Sequence, residues 1–235
     1  MTGESVSPLD EHLYPDLIEL GGLGPALAHA ARRAGINLDE LTWTNDFSRP
    51  TNASAETPRG QIYLHIVADQ RLFGVEVTVD NKARAWGSAP DLEQAVRVAA
   101  AWRDGTTVRE LIAAYPFMKT DPFALAREDG NLLEVLWAFH LEDPGYEEMR
   151  PVLRAAHDDP RLRRLYPSVT HETLARFTVD PDNRENGQVA IWSESGHYEV
   201  ETSWQETVRP AATPAEAVRL ASAEIPDSHR STGES

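Results

Sequence analysis

Two stretches of this chain read as the same supersecondary unit, and that duplication constrains the fold more than any other feature. The first runs from Gly60 to Trp102 and the second from Gly187 to Glu224. Each begins Gly-Gln and continues as an alternating apolar run, the period of a half-buried strand. Each then makes a polar turn and a second strand carrying Val-Glu (Val75-Glu76, Val200-Glu201). Each ends in a helix that starts with Ala-Val-Arg (Ala95-Val96-Arg97, Ala217-Val218-Arg219). A third, shorter strand fits before each helix, around Trp86 in the first copy and over 207–211 in the second.

The flanks extend the correspondence. Pro25 suits the first turn of a helix to about Ala34, stopped by Gly35. Leu38 to Phe47 alternates apolar and polar residues and reads as a strand. Residues 48–59, with two prolines and several small polar residues, read as a loop. In the second half a helix from Tyr146 to His157 and a short basic helix over 160–167 precede a strand from His171 to Val179. Between the halves, 132–141 is the most apolar helix and is expected to be buried. The fold class is therefore α+β: two pseudo-repeats of α-ββββ-α with antiparallel sheets, joined by a helical connector. The expected boundaries are a disordered N-terminus 1–12, a first repeat 13–104, a connector 105–145, a second repeat 146–225 and a disordered tail 226–235. The halves are expected to form one unit with a ligand cleft between them.

Charge and composition exclude several function classes. The 38 acidic and 22 basic residues leave a net charge of −16, which repels nucleic-acid backbones and anionic membranes. There is no cysteine, so disulfides, thiolate metal sites and cysteine nucleophiles are absent. No basic-then-apolar signal opens the chain and no run reaches the length of a membrane span, so a cytoplasmic protein is expected. Asn52-Ala53-Ser54 matches a glycosylation sequon, which has no meaning in that compartment.

If the first hairpin turn centres on Asp69-Gln70, Tyr63 lies across from Glu76 and His65 across from Gly74. His65 and Glu76 are then diagonal neighbours on one face, an acid/base arrangement with Tyr63 beside it, and Gly74 leaves room for a ligand. The default reading of the same residues is the ordinary polar face of an antiparallel sheet. In the second copy the equivalent positions are Ala190, Trp192 and Glu201, so His65 and Tyr63 are what one copy adds. Candidate ligand contacts are Trp86, Trp192, Glu201 and His140; Trp192 beside Glu199 and Glu201 suits a cation. His140 could meet Glu134 or Glu142, or fill a core position. No pair of histidines has zinc-ligand spacing, and phosphate-loop, dinucleotide and serine-elbow motifs are missing, so neither metal nor cofactor is expected. Arg161-Leu162-Arg163-Arg164 is the one basic run, expected as a solvated face paired with Asp158 and Asp159.

The segments LYPDLIELGGL, RGQIYLHIVADQRLFGVEVTVD, AAAWRDGTTVRELIAAYPF and DDPRLRRLYPSVTHETLARF resemble an uncharacterised actinobacterial family labelled natural product biosynthesis protein. That resemblance implies a biosynthetic context without a defined reaction. Trp102 to Leu111, between two helices, looks like the leader-peptide-recognition domains of ribosomal peptide pathways, which capture a peptide as an added strand. Three functions follow as expectations: an accessory or binding protein holding a peptide or small molecule at a sheet edge or in the cleft, a small enzyme (cyclase, isomerase or hydrolase) using His65, Glu76 and Tyr63, or an acidic immunity-type partner. A homodimer is compatible with each.

Overall fold

Both Gly-Gln stretches begin at a glycine for a shared backbone reason. A computed structural model describes residues 9–38, 41, 43, 50–194 and 196–226, without the side chains of 206 and 207. Gly60 has φ +135° and Gly187 φ +122°, values that side chains rarely adopt. A Cβ on Gly60 would lie 2.0 Å from the Thr78 carbonyl oxygen, and one on Gly187 would lie 2.4 Å from the Trp204 ring. Each copy thus starts where a neighbour leaves no room for a side chain, the β3 backbone at Gly60 and the Trp204 ring at Gly187.

The chain divides into two units, Met1–Asp129 and Gly130–Ser235. In the first, α1 (Pro15–Leu20) and α2 (Leu23–Ala34) precede β1 (Asn52–Thr57), β2 (Gly60–Ile66), β3 (Phe73–Val79) and β4 (Lys82–Ala89). There follow α3 (Leu92–Arg103), α4 (Val108–Ala114), β5 (Met118–Lys119) and α5 (Pro122–Asp129). The sheet is an antiparallel meander in the order β1-β2-β3-β4-β5. Ile62, Leu64, Phe73, Val75 and Val77 point to one face and are buried with Leu17, Leu27, Val96 and Trp102. Burying each such side chain stabilises by about 1.5–3 kcal/mol.

The stretch 48–59, expected as a loop, contains β1. Its inward residues are Ala53 and Ala55, too small to give a readable apolar alternation. The expected strand over 38–47 lies largely outside the described residues, as do 1–8 and 227–235. Residues 9–12, expected to be disordered, are anchored: Leu9 packs on the core, and Asp10 accepts the amides of His12 and Leu13 at 2.8 and 3.1 Å.

The second unit holds α6 (Leu132–Glu142), α7 (Arg150–Asp158), β6 (Tyr166–Thr170), β7 (Leu174–Thr178), β8 (Gln188–Glu194), β9 (His197–Thr202), β10 (Gln205–Ala211) and α8 (Pro214–Glu224). Its sheet runs β10-β9-β8-β7-β6, again all antiparallel. The strand expected over His171–Val179 is β7, and a further strand, β6, precedes it; the two turn at His171 and Glu172, both left-handed (φ 54° and 59°). Non-glycine residues in that conformation hide the turn from the sequence. The basic helix expected over 160–167 shrinks to a 3₁₀ turn, Leu162–Arg164, because the chain must extend into β6. Helix α6 is half-buried rather than buried, with Phe139 40% exposed.

The four-strand core with a following helix recurs, β1–β4 with α3 and β7–β10 with α8. Each sheet adds one strand, β5 beside β4 and β6 beside β7, at opposite edges of the shared core. The stretch read as a connector divides between the units. Residues 105–129 belong to the first, where β5 pairs with β4. The Trp102–Leu111 stretch is built into that fold: Arg59 lies over the Trp102 ring at 4.2 Å and pairs with Glu128. Glu128 accepts the Val108 amide, and Thr107 with Glu110 forms a capping box.

Candidate functional site

The β2–β3 hairpin has the register that its sequence implies: Tyr63 opposite Glu76 and His65 opposite Gly74. On the other side of β2, Ser54 pairs with Tyr63 and Asn52 with His65. Tyr63, His65 and Asn52 therefore share the face turned away from the core. The second sheet keeps the same pairs, Ala190 with Glu201 and Trp192 with Glu199.

The loop 67–72 is longer than its counterpart between β8 and β9, and one buried phenol holds it. The Tyr14 hydroxyl lies 2.7, 2.8 and 2.9 Å from the carbonyls of Val67, Gln70 and Leu72, and accepts the Leu72 amide at 3.2 Å. Its single hydrogen serves one carbonyl at a time. Arg71 adds a bidentate pair to Asp16, both bonds 2.8 Å, and donates to the Leu13 carbonyl. That guanidinium also holds the Asp16 carboxyl below the usual carboxylate range.

Between this clamp and β1–β2 lies an open cavity of about 640 Å³. Tyr63, His65, Asn52 and Asp10 bring polar groups to its wall; Leu9, Ile66 and Ala68 bring apolar ones. The backbone amides of His12 and Leu13 hold Asp10 below its ordinary pKa, so the cavity carries a fixed negative charge at neutral pH.

His65 is the unusual member. Its ring lies directly over Gly74, where a Cβ would come within 2.2 Å of Cε1 and 2.7 Å of Nδ1. The space opposite His65, expected for a ligand, is thus filled by the imidazole itself. The Tyr63 ring lies 5.7 Å away at an interplanar angle of 30°. Nδ1 is buried and has no hydrogen-bond partner. Such a group costs about 1–3 kcal/mol when left unsatisfied.

Glu76 does not join this arrangement. It is absent from the cavity wall, and among the described residues no hydrogen bond links it to His65. It stands in register between Tyr63 and Trp86, with Lys119 beyond. Trp86 is 39% exposed in that row. In the second unit Trp192 is 37% exposed, but Arg176 stands 6.0 Å from its ring centroid. The cation expected there from outside is supplied by the chain, with Glu201 opposite Ala190 on β9. Burial, with Arg184 nearby, lowers the Arg176 pKa, and Glu201 opposes the shift.

His140 is a core residue with aromatic neighbours, Phe139 at 5.2 Å and Tyr146 at 5.1 Å. Burial pushes its pKa down, against the Pro167 backbone and Asp143, which raise it. Among the described residues no group of three or more His, Asp or Glu could hold a metal ion, and no helix is long and apolar enough to cross a membrane.

Sequence reasoning missed Tyr14, Asp10 and Asn52. Asp10 had a local signal, an acid two and three residues before the amides it caps. Tyr14 had none, since its partners are backbone atoms of a distant loop.

Residues 131–233 match the profile of a family of unknown function (DUF6193). The matched stretch coincides with the second unit and leaves out the cavity beside His65. No curated protein and no solved structure matches the chain.

Proposed function

We propose that the chain is a cytoplasmic accessory protein of a bacterial biosynthetic pathway, and that its first unit holds a small, partly apolar molecule in the cavity beside His65. The observation that carries this reading is the imidazole of His65 in the cavity wall: the fold shuts off Nδ1, which leaves Nε2, without a hydrogen-bond partner among the described residues, as the nitrogen a ligand can reach. A ligand hydroxyl or amide reaching that atom restores a hydrogen bond that folding leaves unmade. Tyr63 offers an aromatic flank, Asn52 a second polar contact, and Asp10 disfavours anions. The biosynthetic setting rests on the resemblance of the quoted segments.

A second reading makes His65 a general acid or base acting on the bound molecule. Its position in the cavity favours this, while no hydrogen bond to Glu76 orients the ring among the described residues. A thermal-shift screen of a fragment library on wild type and His65→Phe separates the outcomes. A ligand at a hundred times its Kd stabilises by about 2.7 kcal/mol. Hits lost in the variant and recovered unchanged support holding. Hits converted by wild type but not by His65→Ala support catalysis. Hits indifferent to His65 refute both.

A further inference from the structure

Asp159, expected to pair with the basic run Arg161–Arg164, is occupied otherwise. Asp159 Oδ1 accepts the amides of Arg161 and Leu162 at 2.9 and 3.0 Å and the Ser222 hydroxyl at 3.0 Å. It therefore shapes the turn. The Arg161 guanidinium is turned to the Ile225 carbonyl. Arg163 has no ion pair or side-chain hydrogen bond among the described residues.

Arg163 and Arg164 line a second open cavity, of about 540 Å³, between α6 and the end of α7. Trp137 is fixed in its wall: Nε1 donates to the Arg163 carbonyl at 3.0 Å, and the ring stacks on Phe177 at 5.7 Å and 23°. That bond ties the aromatic wall to the turn bearing the two arginines. His157 meets the Trp137 ring edge-on at 5.2 Å and makes no hydrogen bond among the described residues. Leu133, Leu141 and Pro160 supply apolar surface, and Glu134 is the acid on the wall.

We infer that this cavity, in the unit without an assigned role, binds a small planar carboxylate. Its anionic end faces Arg163 and His157, and its flat apolar body lies along Leu133, Trp137 and Leu141. Guanidinium forks suit carboxylates and phosphates alike. Glu134 in the same wall, on a chain of net charge −16, favours a monoanion over a phosphate dianion. This site is independent of the one beside His65.

The test is calorimetric titration of the whole chain with indole-3-acetate, tryptamine and phenyl phosphate, repeated on Arg163→Glu. Arg163 is exposed, so the variant is expected to unfold as wild type does. Saturable binding of indole-3-acetate, none of tryptamine, weaker binding of phenyl phosphate, and a loss of about tenfold or more in Arg163→Glu support the site. Equal binding of tryptamine, tighter binding of phenyl phosphate, no effect of Arg163→Glu, or no heat with indole-3-acetate overturns it.

Discussion

Replacing Gly74 by alanine asks whether the missing Cβ is what seats His65. The added carbon would stand 2.2 Å from Cε1, 2.3 Å from Nε2 and 2.7 Å from Nδ1 of the imidazole. Unstrained heavy-atom contacts need about 3.5–4.0 Å, so the overlap exceeds about 1 Å. The nearest atoms all belong to the ring of one side chain, and it relieves the clash by leaving its seat. Displacement costs about 0.5–1.5 kcal/mol in rotamer energy. Against this, alanine in a strand gains about 0.5–1 kcal/mol over glycine. The single variant is therefore expected to change stability by less than about 1 kcal/mol. In a His65→Ala background nothing is displaced and the same change should stabilise by about 0.5–1 kcal/mol, a coupling of about 0.5–1.5 kcal/mol. Amide hydrogen exchange of the β2–β3 ladder reads this in the first sheet alone. Equal effects in the two backgrounds, within about 0.3 kcal/mol, would refute the seating argument.

Two further outcomes follow. Tyr14→Phe removes the phenol from the loop 67–72 and should destabilise the first unit by about 1–3 kcal/mol, with faster exchange of the Leu72 amide; unchanged exchange there would show that the clamp does not hold the loop. His140 has a folded pKa below its ordinary 6.5, so the unfolded chain binds the extra proton first. Its contribution is fully present above pH 6.5 and is lost as pH falls below that value toward the folded pKa. The urea midpoint of the second unit, followed at the Trp137 indole resonance, should fall on acidification in that window, and less steeply in His140→Gln.

The legible parts of the molecule are those where side-chain size and spacing set the structure. The β2–β3 register followed from alternation on both sides of a loop centred at Asp69-Gln70, and it brought Tyr63 and His65 to one face. β1 was hidden because its inward residues, Ala53 and Ala55, are too small to mark an apolar alternation. The β6–β7 turn was hidden because His171 and Glu172 adopt a conformation usually given to glycine or asparagine. The site itself was half legible. His65 could be singled out by comparing the two copies, but its seat over Gly74 is a matter of rotamer, which spacing does not determine. Asn52 was obscured with β1, the strand that carries it. Arg176 beside Trp192 needed the register of the 171–179 strand against β8, which alternation alone does not set.

The most direct test of the ligand-holding claim is a protein-observed NMR screen of small neutral and cationic fragments, with the imidazole nitrogens of His65 resolved. Hits are expected to shift Asn52, Tyr63 and His65 together, to move the Nε2 resonance as it gains a hydrogen-bond partner, and to vanish in His65→Phe. Fragments that bind elsewhere, or that fill this cavity while Nε2 stays unchanged, would contradict the claim.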